Sequence, residues 1–222
     1  MTNPKMIRSA ALSLILLGGW QAAGHATDNP PGTVRYSGSA TVLRANVKLL
    51  TSNTQVVLAD TGEIDTSGTT RDATVVTFDN PRPLEVHSQT AHAIAAGASG
   101  VSSATAAVEK LLIRIGTLAI SADVIESNSF AECNADSATV AVSGNSTIVN
   151  LKINGRPIDV SGPPNTTVVI PLVATIIINE RTQPDVNSIV ISAVRVIVPG
   201  VPGVAAANVV IARAASGILT CS

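Results

Sequence analysis

Apolar and polar positions alternate most sharply in the middle of the chain. Leu111, Ile113 and Ile115 alternate with Lys110, Leu112 and Arg114. Leu118, Ile120, Ala122 and Val124 share a phase opposite Ser121 and Asp123. A period of two sends successive side chains to opposite faces, so both runs read as strands with one covered face. Further on, Asn154 and Gly155 stand between Val149, Leu151 and Ile153 on one side and Ile158 and Val160 on the other. Asn-Gly accepts the positive φ angles of a type I′ turn, which predicts a hairpin.

The same reading extends in both directions. Residues 34–50 form a strand with Val34, Tyr36, Ala40 and Val42 on one phase, and 54–58 form a second. Residues 60–72 are polar, contain glycine and read as a loop. Asp79, Asn80, Pro81, Arg82 and Pro83 interrupt the pattern. Residues 84–107, rich in Ala, Ser and Gly, carry two readings. One is a strand face of Val86, Ser88, Thr90, His92 and Ile94; the other is a short helix over 89–96. Pro171 splits a nearly continuous apolar run into strands at Thr166–Ile170 and 172–179. Ser188–Val198 is another strand, 199–203 a turn, and 208–214 and 217–221 finish the chain. Runs apolar on both phases imply strands covered on both sides, or a face kept for association. The fold class is all-β.

Lys5 and Arg8 precede an apolar stretch over 9–20, followed by Gly24, His25 and Ala26. This is the layout of a secretory signal peptide cleaved after Ala26, and the run is short for a membrane span. An uncleaved N-terminal anchor is the competing reading. The organisation expected is a signal peptide at 1–26, a spacer at 27–32 and a single β-sandwich domain over 33–222. Export makes Cys133 and Cys221, 88 positions apart, a disulfide pair. Two free thiols or part of a metal site is the alternative. A bridge of that span is worth about 4 kcal/mol in the chain-entropy model.

Composition narrows the functional classes. The chain of 222 residues is 45% hydrophobic but 2% aromatic, with mean hydropathy +0.38, so its apolar content is mainly Val, Ile, Ala and Leu. Scarce aromatics disfavour sugar-stacking surfaces and single-stranded nucleic-acid platforms. Without the leader, 12 basic residues face 15 acidic ones. With no basic run, nucleic acid and anionic membrane are poor partners.

Several segments recur. Ser121-Ala122-Asp123-Val124-Ile125 leads to Cys133 as Ala206-Ala207-Asn208-Val209-Val210-Ile211 leads to Cys221. Ser37-Gly38-Ser39-Ala40-Thr41-Val42 is echoed by Ser143-Gly144-Asn145-Ser146-Thr147-Ile148. Thr54-Gln55-Val56-Val57-Leu58 is echoed by Thr166-Thr167-Val168-Val169-Ile170. The common order suggests two related halves, near 33–133 and 137–221, with chance likeness among Val/Ser/Thr-rich strands as the other explanation.

Tyr36-Ser37-Gly38, Ala59-Asp60-Thr61-Gly62, Ile120-Ser121-Ala122-Asp123-Val124, the stretch from Val149 through Asn154-Gly155-Arg156-Pro157-Ile158, and the ending Ala215-Ser216-Gly217-Ile218-Leu219-Thr220-Cys221 occur in one order. In this the chain resembles the choice-of-anchor P family of bacterial secreted and surface proteins. The resemblance implies an extracellular or cell-surface protein and carries no established activity. An ending at Ser222 without a sorting motif points to free secretion or non-covalent wall association.

Candidate chemistry is sparse. Asp60-Thr61-Gly62 looks like an aspartic-protease loop, but that chemistry needs two facing carboxylates and a second such triplet is absent. Asp60, Glu63, Asp65 and Asp72 are close enough in sequence to be candidate calcium ligands, without the ordered spacing of a calcium loop. His87 and His92 have opposite parity, which on one strand separates their faces. Gly97-Ala98-Ser99-Gly100 lacks the spacing of a nucleophile elbow. No cofactor is expected. The favoured function is a non-enzymatic secreted or cell-surface protein with a structural or adhesive role. The expected partners are wall or matrix components, or further copies of the chain. A self-assembling film or fibre protein, or a secreted hydrolase using Asp60, are the alternatives.

Overall fold

The computed structural model describes residues 34–48, 53–64, 69–81, 84–134, 136, 138–200 and 206–221. The expected leader 1–26, the spacer 27–32, Asp65 and most of the turn 199–203 lie outside the described residues.

Every regular element described is a strand. In chain order they are β1 (Arg35–Lys48), β2 (Asn53–Asp60), β3 (Thr69–Val75), β4 (Phe78–Asn80), β5 (Leu84–Ser88), β6 (Ala91–Ala98), β7 (Val101–Ile115) and β8 (Leu118–Asn134). Then come β9 (Thr139–Val149), β10 (Lys152–Ile153), β11 (Arg156–Pro157), β12 (Thr166–Ile170), β13 (Ala174–Thr182), β14 (Ser188–Val198) and β15 (Ala206–Thr220). The strands form two antiparallel sheets packed face to face as a β-sandwich. One has the order β12-β13-β14-β15-β1-β2. The other is built around the long β7–β8 hairpin. On the outer side of β7 lie β6, for Val101–Val108, and β5, for Leu112–Ile115. On the outer side of β8 lie β9 and β10.

Each sheet draws strands from both recurring segments. β1 and β2 join β12–β15 in the first layer, while β3–β8 join β9–β11 in the second. The layers are therefore not the two sequence halves. β14 lies over β8 and β9, β15 over β7 and β8, and β1 over β6 and β7. β12 is the edge of the first sheet, and β13 meets β9 of the second where Ser146 Oγ donates to Asn179 Oδ1 at 2.6 Å. There Asn179 Nδ2 donates to the Val160 carbonyl (3.4 Å), and Ile158 and Val160 pack on the core beside them.

Small residues bring the layers close at one end. A Cβ on Gly97 would stand 2.8 Å from the Tyr36 ring, and one on Gly144 would stand 2.5 Å from the Ile191 side chain. Hydroxyls fill the same seam: Ser102 Oγ donates to the Ser37 carbonyl at 2.8 Å, and Ser129 and Ser216 share a buried hydrogen bond of 2.7 Å. At the other end the inward residues are larger, among them Leu84, Ile113, Leu118 and Ile120, each at most 1% exposed.

The alternation of faces is interrupted once in each layer, at one transverse row. In the six-stranded sheet the consecutive pairs Leu58 and Ala59, Val42 and Leu43, Ile211 and Ala212, and Ala193 and Val194 are all buried. Left-handed φ angles occur there on alternate strands, at Ala59 (46°), Ala212 (50°) and Asn179 (54°). Pairing resumes in step on either side, from Thr41 opposite Arg213 to Leu43 opposite Ile211. The second sheet does the reverse, turning Glu109 and Lys110, Asp123 and Val124, and Val149 and Asn150 outward together. Lys110 (51°) and Asn150 (56°) carry its left-handed angles.

This row accounts for most departures from the sequence reading. Ile125, not Val124, continues the buried face of Ala122. Gln89 and Thr90 also point outward together, so Val86 and Ser88 face in while His92 and Ile94 face out; no helix forms over 89–96. The loop expected over 60–72 is shorter, because Asp60 ends β2 and Thr69–Val75 pairs along the whole of Ala91–Gly97. Pairing with a ready sheet edge overrides the loop-like composition of that segment. The two expected final strands are one, since Ala215 and Ser216 stay in the ladder between β14 and β1.

Candidate functional site

Five strands place Asp60, Thr41, Arg213, Ser192 and Glu180 in register on the outer face of the six-stranded sheet. Arg44 Nη2 donates to Asp60 Oδ2 at 2.6 Å, and Arg195 Nη1 donates to Glu180 Oε1 at 3.0 Å. Between these pairs, half-buried Arg213 donates to Ser39 Oγ at 3.2 Å. Burial raises the pKa of Asp60, but donation from the Gly62 amide, Arg44 and Thr41 outweighs it and holds the carboxyl below its ordinary value. Burial also lowers the pKa of the Arg213 guanidinium. Thr61 Oγ1 accepts from the Ala40 amide (2.9 Å) and donates to the Gly62 carbonyl (2.8 Å). The Asp-Thr-Gly triplet therefore closes a corner of the sheet, its carboxylate paired with a cation.

Of the candidate calcium ligands, Asp65 lies outside the described residues. Asp60 serves Arg44, Glu63 is exposed, and Asp72 lies on β3 opposite Ile94. Among the described residues, no three acidic, histidine or cysteine side chains converge on a possible metal position.

A second polar cluster joins β4, β5 and β7. His87 Nδ1 bonds Asp79 Oδ1, and its Nε2 bonds Glu85 Oε1 at 2.9 Å. Arg114 Nη1 reaches the same Glu85 oxygen at 2.8 Å. Hydrogen bonding to Asp79, then to Glu85, raises the pKa of His87. Bonding to His87 leads the effects that lower the pKa of Glu85. The outward turn at Gln89 and Thr90 puts His87 and His92 on the same outer face, correcting the separation expected from parity. Nothing in the sequence marked this cluster, because Asp79, Glu85, His87 and Arg114 meet only through the pairing of three strands.

Cys133 and Cys221 are bonded, with Cα atoms 5.7 Å apart. Cys133 is the penultimate residue of β8 in one sheet and Cys221 follows β15 in the other, so the bond ties the layers together at one end. Beside it the Cys133 amide donates to the Gly100 carbonyl (2.8 Å), and the Gly100 amide donates to the Tyr36 hydroxyl (2.6 Å).

A hollow of about 460 Å³ lies on the outer face of the second sheet, lined by Ser103, Thr105, Asn128, Phe130, Ser143 and Asn145 among others. Phe130 stands between Ser103 and Ser143 on neighbouring strands and is 37% exposed. Thr105 Oγ1 donates to Asn128 Oδ1, and Asn128 Nδ2 donates to Glu126 Oε1, each at 2.7 Å. The face offers hydroxyls, amides and one aromatic ring.

No protein-family model matches the chain, and no curated protein matches it. Among solved structures it is matched to the crystal structure of Ail, the attachment invasion locus protein of Yersinia pestis. Identity is 8%, with 85% of this chain and 100% of that one covered, and the TM-score is 0.17. The structure of Ail with the heparin analogue sucrose octasulfate gives a TM-score of 0.15 at the same identity and coverage. Scores of this size give no shared arrangement to reason from.

Proposed function

We propose that this chain is an exported, non-enzymatic bacterial protein of the choice-of-anchor P group, with a structural or adhesive role at or outside the cell surface. The observation that supports it most is the Cys133–Cys221 bond across the two layers. Such bonds persist in oxidising compartments, and the export-type leader leads to one. The polar side chains of the outer faces agree with this reading. At Asp60, Glu180 and Glu85 they pair with arginine, and on the second sheet they form an open hydroxyl and amide surface.

Expression of the full chain in a bacterial host, followed by fractionation and N-terminal sequencing, tests the proposal. The protein is expected outside the cytoplasm, beginning at Thr27, with a mass two hydrogen atoms below that of its reduced form. Cytoplasmic retention with both thiols free counts against it. For the adhesive role, Phe130→Ala is expected to weaken retention on whole cells or extracellular matrix without changing the fold. Retention equal to that of the unaltered chain removes the outer face of the second sheet as the contact surface.

A further inference from the structure

We propose that β12 is a pairing edge for a second copy of this chain, joining two six-stranded sheets edge to edge through β12 and its symmetry mate.

β12 is the outermost strand of its sheet, and among the described strands only β13 pairs with it. The Ile170 carbonyl accepts from the Val173 amide across the turn (3.0 Å). The ladder ends at Ile170 opposite Ala174, beside Pro171, which has no N–H; Ile170 and Ala174 are therefore a hydrogen-bonded pair. Hydrogen-bonded pairs alternate along an antiparallel ladder. Thr166 and Val168 therefore point their backbone groups at β13, whereas Thr167 and Val169 point theirs outward. Asn165 sets the end of the ladder: its side-chain amide donates to the Arg181 carbonyl (3.3 Å) and accepts from the Arg181 amide (2.9 Å).

Natural sheets blunt such edges with charges, internal prolines or bulges. β12 has the sequence Thr-Thr-Val-Val-Ile, with none of these devices. Other perimeter strands carry them: Arg71 and Asp72 on β3, Asp79 on β4, and Arg156 and Pro157 on β11. β9 is also uncharged, but it lies beneath the first sheet, where Ser146 Oγ donates to Asn179 Oδ1 at 2.6 Å and Gly144 abuts Ile191.

The exposed apolar residues select a second copy as the occupant. Val169 is 64% exposed and Leu172, in the β12–β13 turn, is 98% exposed. Antiparallel pairing about a two-fold axis at Val168 sets Val168 against Val168 of the other copy and Thr166 against Ile170. Thr167 then faces Val169, and Leu172 reaches alongside Pro164. Each exposed aliphatic group meets an uncharged partner, with no like charges opposed. The contact is isologous and closes at two copies.

Thr167→Pro tests this directly in the purified, oxidised protein. It removes an outward N–H that the β12–β13 ladder does not use, at an edge position where proline is tolerated. Sedimentation should show a dimer for the unaltered chain and a monomer for Thr167→Pro, with the same far-ultraviolet circular dichroism. Val169→Lys, on an exposed side chain, should weaken the dimer at low salt more than at high salt. A monomeric unaltered chain at high concentration overturns the proposal, as does a dimer that survives both substitutions. Either result leaves the export and surface reading intact, because fractionation tests that separately.

Discussion

His87 bridges two carboxylates on an open surface, and its protonation is the clearest pH-dependent event in the molecule. Its folded pKa lies above the ordinary 6.5, so the cluster adds stability that is full below about pH 6.5 and is lost as pH rises through the folded value. His87→Gln should remove that component from the dependence of Tm on pH, and a nuclear magnetic resonance titration of the ring should report the raised value directly. A second expectation at this scale concerns close packing. A Cβ at position 144 would lie 2.5 Å from Ile191 Cγ1 and 2.7 Å from the Asn128 carbonyl oxygen. One of these neighbours is backbone and cannot rotate away. Gly144→Ala should cost about 1–3 kcal/mol in urea unfolding, the usual range for overpacking. The sequence showed Gly144 only as part of a recurring Ser-Gly motif. Its place under Ile191 depends on how two distant strands cross, which local composition does not encode.

Strands were legible where periodicity was strong, and their phase was not. Leu111, Ile113 and Ile115 face the core as their spacing implied, and Asn154 and Gly155 form the expected two-residue turn, with φ angles of 50° and 77°. Val124 breaks the pattern because alternation assumes an uninterrupted pleat, and the reversal beside Asp123 depends on an unusual φ angle at Lys110 across the ladder. Lysine gives no advance sign of that conformation; glycine or asparagine would. The β6–β7 turn was readable in principle, since Ser99 and Gly100 form a two-residue connection with φ angles of 50° and 78°. Asparagine adopts the first of these positions more readily than serine. Ser99→Asn should therefore raise stability by several tenths of a kcal/mol, seen as a small increase in Tm. An unchanged or lower Tm would show that Ser99 has another role in the turn.

For the whole molecule, the disulfide pairing was legible because two cysteines behind an export-type leader leave few choices. Which layers it would join was not, since β1 returns to pair with β15 across nearly the whole length of the chain. The bond spans 88 positions, and reducing it, or Cys133→Ser together with Cys221→Ser, should lower unfolding free energy by up to about 4 kcal/mol. Denaturant titration of oxidised and reduced protein measures this. The folded sandwich should survive reduction at moderate temperature, because its apolar core is continuous without the sulfur atoms.

Strands made mostly of valine, alanine and serine invite slippage, since sliding by two positions exchanges one small apolar residue for another and keeps the same faces inward. The left-handed residues Ala59, Ala212 and Asn179 act against this as index marks on alternate strands. A strand displaced by two would bend two positions away from its neighbours, and ladder bonds would be lost at both places. A repetitive, uniform sequence thereby specifies one alignment, through a few backbone angles that its amino-acid composition does not announce.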